Sequence, residues 1–227
     1  MSRGIVSIYW GDEANLPLQR LCNSVKQFCP NLRHELIKID AVPGDPKSLN
    51  RKAEMLDLSP FDETLFLDID TVVMGNLNYG FEKAITHGLA LSICENPWAK
   101  RYQNIFIGDQ VEYNTGVLFF TKKAQPVFDE WKKLARSVDS SLTFVNQGKV
   151  NIMPANDQGS FAMAVDNIKF NPFILPLNWN FRPIWHTSFF GPIKIWHDYS
   201  DPPPIISELN GYYENKDSII QYHQGLK

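Results

Sequence analysis

The first seventy residues alternate between short apolar runs and amphipathic stretches, and that alternation limits the chain to one class of fold. Gly4-Ile5-Val6-Ser7-Ile8-Tyr9-Trp10 reads as a buried strand closed by Gly11-Asp12. Leu18, Leu21, Cys22, Val25, Phe28 and Cys29 then repeat at helical spacing, with Pro17 in the first turn and Pro30 as the stop. Glu35 to Ile39 reads as a second strand with Asp40 at its carboxyl end. A helix through Lys52, Met55 and Leu56 follows and stops at Ser59-Pro60. Thr64-Leu65-Phe66-Leu67 is the third strand. Strand, helix, strand, helix, strand predicts an α/β fold: a mostly parallel twisted sheet with helices on both faces.

The later sequence continues the pattern. Leu89 to Ile93 and Gly116 to Phe120 read as strands. Ala124, Val127, Phe128, Trp131, Leu134, Ala135 and Val138 make the cleanest amphipathic helix. Gly159 to Val165 reads as a short helix, and Ile193 to Trp196 as a late strand. Asn96 to Glu112 has no clear period and reads as a long loop, where binding function often sits. A length of 227 residues suits a single domain. Within it the expected division is a nucleotide-binding half over 1–75, an acceptor-side half over 76–200 and a C-terminal tail over 201–227.

A net charge of −3 excludes a nucleic-acid groove but not a small phosphate ligand, because one metal ion supplies the missing positive charge. No apolar run approaches the ~20 residues of a membrane span, and no signal-peptide pattern opens the chain. Cys22, Cys29 and Cys94 have no metal-site spacing and read as reduced thiols. The expected location is cytoplasmic, with any membrane contact peripheral.

The chemistry centres on Leu67-Asp68-Ile69-Asp70-Thr71, at the end of the third strand. Ligands in open α/β sheets bind outside the carboxyl ends of strands. Extended backbone would turn both carboxylates the same way, and two such groups repel unless a cation sits between them. Hard oxygen ligands suit Mn²⁺ or Mg²⁺, and such an ion can stabilise a departing diphosphate. The plain alternative is an Asx-rich turn leaving a strand. A second enzymatic alternative is a phosphatase of the haloacid-dehalogenase type, with Asp68 as nucleophile and Asp70 as acid/base. Two strand–helix units before the motif, and the absence of a second Asp after Gly108-Asp109, count against it.

The run from Ser59 to Val73 resembles the metal-binding Asp-x-Asp segment of GT-A glycosyltransferases, nearest to the glycogenin and lipooligosaccharide galactosyltransferase family. Asn114-Thr115-Gly116-Val117 resembles that family's Asn-Ser-Gly-Val strand. Asn156-Asp157-Gln158-Gly159 resembles its Asp-Gln helix start, and Ile193 to His197 its last strand, which ends in a metal-binding His. The resemblance spans Ile5 to His197. The family's Lys-Pro-Trp after the His is replaced here by Asp198-Tyr199-Ser200-Asp201-Pro202.

The resemblance implies a transferase (a hexosyltransferase) that moves a sugar from a nucleotide-diphosphate sugar, with UDP-sugar favoured, to a hydroxyl of a glycan or other acceptor. Asp68, Asp70 and His197 would hold the metal. Tyr9, Trp10, Asp40, Arg51, Lys52, Ile69, Asn114, Thr115 and Gly116 would join the two aspartates around the donor. Lys52 is favoured over Arg51 as the cation facing the diphosphate. Asp157 would be the base if configuration inverts, and Gln158 or a main-chain carbonyl would lie beneath the anomeric carbon if it is retained. Trp98, Arg101, Tyr102, Trp179, Arg182 and Trp185 are candidates for the acceptor side. A non-catalytic nucleotide- or glycan-binding relative is the remaining alternative.

Overall fold

The computed structural model describes residues 1–11, 15–40, 46–95, 111–139, 141–153, 155–186, 188–215 and 221–222. Its elements run β1 (Arg3–Tyr9), α1 (Asn15–Phe28), β2 (Arg33–Lys38), a 3-10 helix (Pro46–Glu54), α2 (Met55–Leu58), β3 (Glu63–Leu67), β4 (Thr71–Val73), α3 (Asn78–His87) and β5 (Leu89–Ile93). They continue with β6 (Tyr113–Thr121), α4 (Gln125–Ser137), β7 (Leu142–Asn146), β8 (Lys149–Met153), α5 (Asp157–Asn167), β9 (Phe173–Ile174), β10 (Phe189–Phe190), β11 (Ile195–His197), α6 (Pro204–Asn215) and β12 (Gln221–Tyr222).

The main sheet has the order β2-β1-β3-β6-β5-β9. β1 pairs parallel with β2 and β3, and β5 pairs parallel with β9. β6 lies antiparallel between β3 and β5. The sheet is therefore mostly parallel with one reversed strand. That reversal has a functional consequence: the start of β6 lies at the same edge as the carboxyl ends of β1, β2 and β3.

Side-chain alternation along the strands divides the core in two. Val6, Ile8, Phe66, Leu118 and Phe120 face α4, α5 and the Lys52 helix through Phe128, Trp131 and Phe161. Ile5, Leu65, Leu67, Val117 and Phe119 face α1 and α3 through Leu21, Val25 and Phe81. Helices thus cover both faces. At ~25 cal/mol per Å² of apolar surface, each of these large buried side chains contributes about 2–3 kcal/mol before entropy is charged against it.

Several elements depart from the sequence reading. The Lys52 helix is mostly 3-10, and only Met55–Leu58 is α. Within the C-terminal tail lies α6, which starts at Pro204, where a proline costs no helical hydrogen bond. The β7–β8 hairpin turns at Gln147 and Gly148, both at positive φ, and no periodicity announced it. Cys22, Cys29 and Cys94 are not joined in disulfides, and among the described residues no helix is long and apolar enough to cross a membrane.

Candidate metal and donor site

Four segments meet where β3 ends. Leu67 pairs with Val117, and Asp68 N–H donates to the Gly116 carbonyl at 2.8 Å. The chain then turns instead of staying extended: Thr71 N–H and Thr71 Oγ1 both donate to the Asp68 carbonyl, at 3.2 and 2.6 Å. β4 leaves this turn and pairs antiparallel with β11, setting Thr71 opposite His197. The fourth segment is the start of α5, where the Asn156 side chain caps the helix by accepting from Gln158 N–H at 2.8 Å.

Lys52 is the cation of the site. Its Nζ lies 2.9 and 3.0 Å from the two oxygens of Asp68, and 2.9 Å from Asp157 Oδ2. Thr115 Oγ1 donates to that same Asp157 oxygen at 2.5 Å. Burial by itself would favour a neutral amine. The carboxylates of Asp157 and Asp68 outweigh it and hold the ammonium above its ordinary pKa. The Asp68 carboxyl is raised, first by burial and further by Asp70, with Lys52 opposing. Burial also pushes Asp70 upward, but His197 beside it prevails and holds it below the ordinary value.

A backbone amide fixes the tautomer of His197 through two asparagines. Gly116 N–H donates to Asn114 Oδ1 at 3.0 Å, so the other end of that amide is its NH₂, which donates to Gln158 Oε1 at 2.9 Å. Asn180 Nδ2 donates to the same Asn114 oxygen at 2.8 Å. Asn180 must then present its oxygen to His197 Nδ1, 2.8 Å away, which requires the proton on Nδ1. Nε2 is then the ring nitrogen that faces Asp70 Oδ1, at 3.3 Å, and the one turned toward the two aspartates. A metal-ligating His is held in this way by a partner on its other nitrogen.

Asp68, Asp70 and His197 each offer a ligand atom, and these atoms lie within 4.8 Å of one another. Two carboxylates with one imidazole suit Mn²⁺ or Mg²⁺. The space between them depends on Gly116. A Cβ there would stand 2.3 Å from His197 Cε1 and 2.7 Å from Asp68 Oδ2, so any other residue would fill the cradle. The donor set, its burial and the glycine-made space together fit a divalent ion.

The fold has known counterparts. The structure is similar to the galactosyltransferase LgtC in complex with donor and acceptor sugar analogs, at a TM-score of 0.57 and 14% identity over 95% of this chain and 98% of that one. It is also similar to mouse xyloside xylosyltransferase 1 in its apo form, at 0.53 and 12% over 89% and 100%. A glycosyltransferase involved in glycosylation of the major capsid of PBCV-1 gives 0.51 and 14% over 94% and 99%. The chain has the GT-A glycosyltransferase fold. No family model matches the sequence, and no curated protein matches it.

Within this GT-A fold the sequence candidates sort by position. Lys52, Asp68, Asp70, Asn114, Thr115, Gly116, Asp157, Gln158 and His197 form one connected cluster. Ile69 is half-buried in the turn between the aspartates. Tyr9 and Trp10 end β1 on the same sheet edge, both half-buried, with Trp10 packed on the first core cluster. Asp40 follows β2 on that edge and is exposed. Arg51 pairs with Glu54 at 3.0 Å and lines a separate cavity with Lys132 and Arg136.

On the acceptor side, Trp179 belongs to the core: it is 6% exposed and packs on Phe119 and Tyr79. Arg182 Nη1 pairs with Glu95 Oε2 at 3.0 Å, and His186 Nε2 lies 2.7 Å from the other Glu95 oxygen. Burial opposes ionisation of Glu95, but His186 and Arg182 hold its carboxyl below the ordinary value. Trp185 is 37% exposed. Trp98, Arg101 and Tyr102 lie outside the described residues. Sequence reasoning missed Asn180. Its place one residue after Trp179 carries no periodic or motif signal, and only the meeting of β6 with β11 gives it a partner.

Proposed function

We propose that this protein is a metal-dependent glycosyltransferase that moves a sugar from a nucleotide-diphosphate sugar, UDP-linked by preference, to a hydroxyl of a glycan. The observation that carries this reading is the convergence of Asp68, Asp70 and His197 within a GT-A fold. Solved structures with this fold that bear the name glycosyltransferase support it. Asp68, Asp70 and His197 would hold Mn²⁺ or Mg²⁺, which neutralises the diphosphate and eases its departure.

The chain's own residues do the remaining work. Lys52 brings a permanent positive charge to the rim of the triad and is held there by Asp68 and Asp157. Asp157 Oδ2 is engaged by both Lys52 and Thr115, so in this arrangement it orients the cation. Gln158 is fixed by Asn114 and presents a side-chain amide next to Asp157. Gly116 leaves room for a ligand against the sheet edge. Tyr9 and Trp10, at the end of β1, offer aromatic faces for a nucleotide base.

Calorimetric titration of UDP and GDP, each with Mn²⁺ and with EDTA, tests the reading. The expected result is tight binding of UDP only with Mn²⁺, together with Mn²⁺-dependent hydrolysis of a UDP-sugar. Nucleotide binding without any turnover would favour a non-catalytic relative. Release of inorganic phosphate from simple esters, without nucleotide binding, would favour the phosphatase.

A further inference from the structure

Arg20 lies on α1, far in sequence from every member of the metal triad, yet it ties together the two backbone segments that carry Asp70 and His197. Its Nη2 donates to the Asp70 carbonyl at 3.3 Å and also to the Asp198 carbonyl. Its Nη1 donates to the Tyr199 carbonyl at 2.7 Å and meets Asp201 Oδ1 at 3.3 Å. Asp198 N–H donates to that same Asp70 carbonyl at 3.0 Å, so the strand crossing and the guanidinium share an acceptor. The Arg20 side chain is 17% exposed, whereas that of Asp201 is 83% exposed. The carbonyls, not the surface carboxylate, therefore define its role.

α1 is a rigid base for this contact. Leu21 and Val25 bury its inner face in the second core cluster. Ser24, one turn beyond Arg20, accepts from Val73 N–H at 3.0 Å and so pins β4 as well. The segment after His197 is closed on itself: Asp198 accepts from Ser200 N–H at 2.9 Å, and Trp196 Nε1 donates to the Ser200 carbonyl at 2.9 Å. A planar fork that reaches three carbonyls, one before β4 and two after β11, suits arginine, and a lysine ammonium cannot reproduce it.

We propose that Arg20 is the positioning residue of the metal triad, clamping the Asp68–Asp70 turn to the exit of β11 and so setting the separation of Asp70 and His197. This rests on the metal-dependent reading above. Binding of Mn²⁺ alone, followed by calorimetry, tests it in the full chain, with the melting temperature of the metal-free protein recorded for each variant. Asp70→Asn serves as the ligand control and should abolish binding. Arg20→Lys should bind Mn²⁺ about 10-fold more weakly than the parent, and Arg20→Ala up to about 100-fold more weakly, the range seen for outer-shell partners of metal ligands.

A structural role by itself would lower the metal-free melting temperature and leave the Mn²⁺ affinity unchanged. Parental affinity in either folded variant therefore overturns the proposal and leaves the metal site intact. If Arg20→Ala does not fold, Arg20→Lys, which keeps a cation in place, decides. A parent protein that binds no Mn²⁺ overturns the metal reading itself, a result distinguishable from failure of the clamp.

Discussion

His197 Nδ1 stands 2.8 Å from the side-chain oxygen of Asn180, and that one contact decides which ring nitrogen faces Asp70. Asn180 is 1% exposed, so no solvent can replace it. Asn180→Ala is expected to free the imidazole to rotate and to weaken Mn²⁺ binding by about 10–100-fold. It should also cost about 1–3 kcal/mol by leaving buried partners unmatched. Metal titration and chemical denaturation of the same variant measure the two effects. Unchanged Mn²⁺ affinity would show that the tautomer is set elsewhere.

Gly116→Ala tests the cradle. The added methyl meets His197 Cε1 and Asp68 Oδ2 at distances no side chain tolerates, and it is walled by the β3–β6 pairing. Overpacking of this kind costs about 1–3 kcal/mol. The expected variant is folded, slightly destabilised and without measurable Mn²⁺ binding. Retained Mn²⁺ affinity in a calorimetric titration would mean that the ion sits away from Gly116.

Lys52→Ala leaves Asp68 and Asp157 facing each other without their shared cation. Loss of one partner from a buried ion pair costs about 3–5 kcal/mol. A divalent ion replaces part of the missing charge, so Mn²⁺ should raise the melting temperature of this variant by more than that of the parent. On the alkaline side, Lys52 has a folded pKa above its unfolded value of about 10.4. Its contribution is therefore complete below pH ~10.4 and is lost as pH rises through the folded value.

His34 sets an acidic limit independent of the site. Burial, opposed by Glu35, pushes its pKa down to about 4, and its Nε2 lies 3.0 Å from Ser7 Oγ. The unfolded chain takes up the proton near pH 6.5 and the folded chain only near 4. Stability is thus full above pH ~6.5 and falls as pH drops toward 4, by an amount of the order of 3 kcal/mol. Denaturation curves between pH 7 and ~4 should lose most of this slope in His34→Gln. An unchanged slope would assign it to other groups.

Trp179 and Trp185 separate packing from sugar contact. Trp179→Ala should cost about 3–5 kcal/mol, because the ring is wedged against Phe119 and Tyr79. Trp185→Ala should lower the melting temperature by less than Trp179→Ala does, since its ring is 37% exposed against 6%. A raised KM for acceptor in the second variant, with kcat retained, would place Trp185 on the acceptor side.

Local patterning carried much of this protein. The strand–helix alternation to Leu67 follows from side-chain period alone, and it predicted the sheet and its covered faces. The aspartates were legible because they stand at the end of β3, whereas the later segments at Asn114, Asp157 and His197 were picked out by their resemblance, in order, to GT-A glycosyltransferase motifs. The tertiary structure decided what no period encodes. It reversed β6 between β3 and β5, which brings Asn114 and Gly116 to the edge where Asp68 ends. It turned Lys52 inward and left Arg51 with Glu54. It gave Asn180 and Arg20 their partners across 17 and 50 residues or more. Helical and strand periods report which face of an element is buried. Hydrogen bonds between distant segments depend on how those elements dock, and their partners have no fixed spacing along the chain.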